Sequence, residues 1–165
     1  MLKAIVMGVA GSGKSSVGHA VANRLGAVYF DGDDLHPQSN IDKMATGTPL
    51  NDADRAPWLD KVGAALMQAG GPTLIGCSAL KHAYRDRIRA VCPQTQFAHL
   101  IGDRAVIEAR MSARTGHFMP VSLLDSQFDT LEPLQPDEAG FEVDIAQDFE
   151  AVVQQMIARL SRPNS

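Results

Sequence analysis

Cysteine is scarce in this chain: Cys77 and Cys92 are the only two in 165 residues, with neither CxxC nor metal-ligand spacing. That excludes a disulfide-stapled scaffold and a thiolate metal centre, and a reduced, cytoplasmic protein is the expectation. Positive charge is not in surplus either. The formal net charge is −4 and the lysines and arginines are scattered along the chain. A nucleic-acid partner or an anionic membrane surface is therefore not expected. No apolar run approaches the ~18 residues of a membrane span. The apolar stretch at the start runs straight into a glycine loop that signal-peptide cleavage would destroy, so no such peptide is expected. Internal repeats and low-complexity segments are missing too. What is left is one domain over residues 1–165, long enough to bury a core without staples.

Against these absences stands Gly8-Val9-Ala10-Gly11-Ser12-Gly13-Lys14-Ser15, a complete G-x-x-x-x-G-K-[ST] phosphate loop. Ile5-Val6-Met7 in front is a β-branched apolar run suited to a buried parallel strand. Behind it Val17, Val21 and Leu25 recur at helical spacing. Strand, glycine loop and helix together surround a polyphosphate with main-chain N–H groups and a helix N-terminus. Gly8, Gly11, Ser12, Gly13, Lys14, Ser15 and Ser16 are the expected nucleotide contacts. Lys14 would place its charge on the β/γ-phosphates, and Ser15 would offer its hydroxyl to Mg²⁺. ATP and Mg²⁺ are the ligands this implies.

The rest of the chain alternates strands and helices. Strands are predicted at 3–7, 27–31, 73–77, 96–101 and 141–145. Helices are predicted at 14–25, 39–46, 55–69, 83–91, 104–113, 121–131 and 149–160, with Pro57 in a first turn where its missing N–H costs nothing. Alternation of this kind predicts an α/β, three-layer P-loop NTPase fold, a five-stranded parallel sheet flanked by helices. Ligands then bind beyond the carboxyl ends of the strands.

Beyond the second strand comes Asp31-Gly32-Asp33-Asp34. On an extended segment Asp31 and Asp33 would point the same way, one to support the metal and one to take or orient a hydroxyl proton. Beyond the third strand no Asp occurs in Leu74–Leu80, which shifts metal support towards Asp31. Lys81 and Arg85 are cations available to an anionic ligand. Arg104, Arg110 and Arg114 form a later basic cluster, and Gly116-His117-Phe118-Met119-Pro120 breaks regular structure like the tip of a mobile lid, set at about 114–125. Arginines on such a lid would neutralise the phosphoryl in transfer and exclude water.

Read in order, these stretches resemble the gluconate kinases (gluconokinases), small relatives of shikimate and adenylate kinases. The resemblance is carried by the phosphate loop, by Asp31-Gly32-Asp33-Asp34-Leu35-His36-Pro37 and by Asn40-Ile41-Asp42-Lys43-Met44. It continues through Gly47-Thr48-Pro49-Leu50-Asn51-Asp52-Ala53-Asp54-Arg55-Ala56-Pro57-Trp58-Leu59 and Cys77-Ser78-Ala79-Leu80-Lys81 with Tyr84-Arg85-Asp86. Gly116-His117-Phe118-Met119 with Ser126-Gln127-Phe128 complete the set. The resemblance implies transfer of the ATP γ-phosphoryl to the 6-hydroxyl of D-gluconate. It implies Asp33 as base, Asp31 holding Mg²⁺ beside Ser15, Arg110 stacking on adenine bordered by Val143–Ala146, and Arg114 reaching the phosphates from the lid. Asp33, Lys14 and Arg114 are then the catalytic set. A sugar acid needs polar partners and a cation for its carboxylate, and His36, Lys43, Arg55, Lys81 and Arg85 join Asp33 as expected substrate contacts. Trp58 is read as core or pocket wall. The expected partner is this small molecule alone, with a homodimer left open. A different small-molecule kinase such as shikimate kinase is the alternative. A GTP-binding switch is a further one, suggested by Asp137-Glu138-Ala139-Gly140 but lacking an N-K-x-D motif.

Overall fold

Strand β1 (Lys3–Met7) is buried from end to end, and its side chains alternate between two cores. Ala4 and Val6 face one side of the sheet and Ile5 and Met7 the other, the period-two pattern of a strand covered on both faces. The computed structural model describes residues 1–112 and 121–160. Within them β2 (Val28–Asp31), β3 (Thr73–Gly76), β4 (Gln96–Ile101) and β5 (Gly140–Asp144) complete a sheet of order β2-β3-β1-β4-β5. Every neighbouring pair is parallel.

Helices α1 (Lys14–Leu25) and α7 (Phe149–Leu160) cover one face with Val17, Val21, Val153 and Met156. Ile107 of α5 (Arg104–Ser112) and Leu124 of α6 (Val121–Thr130) join the same core. The other face is covered by α3 (Asp52–Gln68) and α4 (His82–Val91) through Leu59, Val62, Leu66 and Ile88. The short α2 (Gln38–Ala45) lies between β2 and α3 in sequence. The expected α/β architecture of three layers and five parallel strands is what the chain adopts. Among the described residues no helix is long and apolar enough to cross a membrane.

Three local expectations change. Helix α3 begins three residues earlier than its apolar pattern predicts, because Asn51 and Asp54 form a reciprocal capping box. Pro57 consequently lies in the second turn, where it removes one main-chain hydrogen bond instead of costing nothing. The acidic stretch after β2 is not extended: Gly32–Leu35 form a 3₁₀ turn whose N-cap is Asp31, the Asp31 carboxylate accepting from the Asp33 N–H at 3.0 Å. The lid expected at 114–125 falls mostly outside the described residues, and from Val121 onward it is the start of α6.

Parallel pairing brings all carboxyl ends to one edge. The register sets Asp31 beside Gly76 and Gly76 beside Val6. The ends of β2, β3 and β1 therefore form one row, and the loops that leave them share a cleft.

Candidate active site

The phosphate loop leaves β1 and enters α1 through backbone that only glycine tolerates well. Gly13 caps α1 at φ 93°, in the left-handed region. A Cβ at Gly8 would stand 2.7 Å from the Ser12 hydroxyl and 2.9 Å from the Leu100 carbonyl oxygen. The start of α1 has no side-chain cap and no acidic residue in its first turn, so its N–H groups and dipole face outward towards an anion. Lys14 folds over this loop, its ammonium donating to the carbonyls of Gly8 at 3.0 Å and Val9 at 3.1 Å.

A cavity of about 180 Å³ opens here, walled by Ala10, Lys14 and Ser15 on one side and Asp31, Asp33 and Gly76–Ser78 on the other. The paired aspartates do face one site, though through the 3₁₀ turn rather than an extended strand. Loss of hydration in the cleft, and then the Asp31 carboxylate beside it, hold the Asp33 carboxyl above the ordinary range of an aspartate. Tyr29 also lines this cavity, hydrogen-bonded with Ser15. Its phenol is pushed up to about 12 by burial and then by Asp31. Gly18 and Gly76 make room for it, since a Cβ at either would come within 2.2 Å of its ring or hydroxyl.

A second cavity, of about 670 Å³, adjoins the first and shares Asp33, Ser78 and Gln127 with it. His36, Arg55, Trp58 and Tyr84 wall it, with Gly47–Leu50 at its margin. Trp58 is both core and wall, as expected. It donates to the Gly32 carbonyl at 2.8 Å, and His36 stacks on it with centroids 4.2 Å apart. His36 stands 3.9 Å from the Asp33 carboxylate, and its burial lowers its proton affinity. Arg55 donates to the Tyr84 hydroxyl at 3.2 Å, and that hydroxyl donates to Asp52 at 2.6 Å.

Three expected substrate cations are placed differently. Arg85 lines neither cavity. It is fully buried and bidentate with Glu138 at 2.9 and 3.1 Å, and it donates to the carbonyls of Ala79 and Pro133. Burial without a partner would be prohibitive for a guanidinium, so the fold satisfies every side of it. Its reach to the Ala79 carbonyl holds the loop after β3, where Ala79 sits at φ 45°. Lys43 also lies away from both cavities, paired with Asp54 at 2.6 Å and so tying α2 to the start of α3. Lys81 borders an adjoining open groove and pairs with Asp52 at 3.4 Å.

Among the nucleotide contacts, Ser15 lines the loop cavity and Ser16 is exposed in the first turn of α1. Arg110 lies 3.9 Å from where a Gly13 Cβ would stand and donates to the Ile145 carbonyl. It thus bridges the loop and the segment expected to border adenine. Arg104 is engaged by Glu108 and Asp125 instead. Arg114 and Gly116–Pro120 lie outside the described residues.

Tyr29 and Gln127 escaped sequence reasoning. Tyr29 had a usable signal, since it stands two residues before Asp31 on β2 and shares its face. Gln127 had none beyond its place in Ser126-Gln127-Phe128, because its neighbours come from the other end of the chain.

Comparison with known proteins bears on this geometry. A family profile described as an AAA domain matches residues 4–134. The chain is 49% identical over 155 residues to the thermosensitive gluconokinase of Escherichia coli K12, covering 92% of this chain and 83% of that protein. It is 48% identical to the thermoresistant gluconokinase of the same organism, covering 90% and 87%. The crystal structure of a gluconokinase from Sinorhizobium meliloti 1021 superimposes with a TM-score of 0.89 at 45% identity, over 97% of this chain and 91% of that one. The chain belongs to the gluconokinase family. Membership favours the reading from the Asp31–Pro37 and Gly47–Leu59 motifs over shikimate kinase and over a switch protein. The D-x-x-G stretch that suggested a switch leads into the amino end of β5, with its Glu138 taken up by Arg85. The phosphate loop, by contrast, leaves the carboxyl end of β1.

Proposed function

We propose that the protein transfers the γ-phosphoryl group of ATP to the 6-hydroxyl of D-gluconate, giving 6-phosphogluconate. One observation carries this reading: the phosphate-loop cavity and the larger cavity beside it meet at Asp33. A carboxylate at that junction can accept the proton of a hydroxyl on one side as the oxygen attacks phosphorus on the other. Lys14 neutralises the phosphates, and the N–H groups of the loop and of α1 hold them in place. The acceptor cavity suits a sugar acid, with Arg55 as partner for a carboxylate and His36 and Tyr84 for hydroxyls.

A divalent cation fits the residues present. Ser15 and Asp31 offer hard oxygens to the same cavity, and among the described residues no cluster of three or more acidic, His or Cys ligands builds a closed cage. That sparse donor set suits Mg²⁺, which keeps waters and phosphate oxygens as its other ligands. When bound it would neutralise charge on the β- and γ-phosphates. Arg110 is assigned to the adenine side of the nucleotide and Arg114 to its phosphates.

The test is an acceptor screen of the purified protein with ATP and Mg²⁺, offering gluconate, shikimate and nucleoside monophosphates in parallel. ADP release with gluconate alone, together with a phosphorylated acid, is the expected result. Turnover with another acceptor and none with gluconate rejects the reading.

A further inference from the structure

Gln127 projects from α6 into the wall shared by the two cavities. Its Oε1 accepts from the Ala10 N–H at 2.5 Å, a contact across 117 residues of sequence. The donor settles which way the amide lies, because a main-chain N–H can only donate. The oxygen is held on the phosphate loop, and the Nε2 amino group keeps two donors with no hydrogen-bond partner among the described residues. Asp33 and Ser78 line both cavities with it. A neutral side chain here avoids the repulsion a carboxylate would exert on phosphate. A lysine or arginine could not accept from Ala10 at all.

We infer that Gln127 is a further catalytic residue, anchored to Ala10 through its carbonyl and donating from its amino group to the phosphoryl oxygens during transfer. The inference rests on the phosphoryl-transfer reading above. In that step the acceptor oxygen forms its bond to phosphorus, the bond to the β-phosphate oxygen breaks and ADP leaves. The hydroxyl proton goes to Asp33, and Gln127 neither gains nor loses a proton. A donor fixed in advance at the crossing point stabilises charge in transit without reorganising.

The test is Gln127→Glu beside Gln127→Ala in the full chain, with thermal unfolding of each compared with wild type. Glutamate keeps the shape and the acceptor for Ala10, but it donates only when protonated. With ATP and gluconate, its kcat relative to wild type is expected to fall about a hundredfold near pH 8. The ratio should climb back as pH drops through the new carboxyl's titration. Gln127→Ala should lose kcat at least about tenfold while its KM for gluconate shifts by less than about threefold. A Glu ratio flat with pH overturns the inference, as does full kcat in Gln127→Ala, which brings no charge to repel phosphate and so reads the lost donor by itself. A wild type inactive on gluconate sinks the functional reading and this inference together. An active wild type with a flat ratio sinks this inference alone.

Discussion

At the phosphate-loop side of the cleft the groups offered to a ligand are main chain: glycines at positive φ and a helix start without a side-chain cap. In the larger cavity beside it they are side chains that already hold one another, with Tyr84 between Arg55 and Asp52 and Lys81 also on Asp52. The two sides fail differently. A main-chain site depends on spacing and on the absence of a Cβ, whereas a side-chain site depends on which partner claims each charge. Two arginines make the contrast concrete. Arg55 lies in the cavity wall with its side chain a third exposed, and Arg85 is fully buried on Glu138.

Asp33, at the seam of the two sides, offers the largest effect. Asp33→Asn should lower turnover by about a thousandfold or more and leave ATP affinity, read by nucleotide titration, nearly unchanged. Comparable loss of both would merge the two sides into one. The base must be ionised to act, and its pKa is raised, so activity should fall at a higher pH than an ordinary aspartate would dictate. Removing the neighbouring like charge with Asp31→Asn should move that acid limb downward, in a pH series of kcat/KM.

Glu138→Ala should come next, costing about 3–5 kcal/mol of stability by leaving Arg85 buried and uncompensated. Burial alone would raise the Glu138 carboxyl, yet the hydrogen bond from Arg85 overrides it and holds the group at about 2. A depressed carboxylate stabilises the fold above its unfolded value of 4.5, and that contribution is lost as pH falls towards about 2. Unfolding midpoints measured over that window should decline in wild type and lose this part of the slope in Glu138→Gln.

Arg55→Ala should raise KM for gluconate about tenfold to a hundredfold, as loss of a charge-assisted pair does, with little change for ATP. Lys43→Ala should have the smallest effect. It removes a partly exposed pair with Asp54, worth about 0.2–1 kcal/mol, and should barely touch the acceptor KM. A large KM change there would return Lys43 to the substrate.

The phosphate loop was legible because its chemistry lies in eight consecutive residues, between a strand and a helix whose periodicities differ. The sheet was legible for the same local reason. Asp31 and Asp33 were found by position after β2, although the geometry that joins them is a capped turn rather than an extended strand. The cations were not legible. Arg55 and Lys81 read as the preferred carboxylate partners, with Lys43 and Arg85 as further candidates, because the carboxylates that claim Arg85, Lys43 and Lys81 lie 53, 11 and 29 residues away.

Sequence alone determined the fold class, the loop and the pair of acidic residues, since each follows from spacing within a short window. Tertiary structure decided that Arg55 lies in a cavity wall while Arg85 is buried on Glu138, and that Gln127 reaches Ala10. The reason is electrostatic and steric. A buried charge must be neutralised by whatever the fold brings beside it, and only the folded chain determines that neighbour.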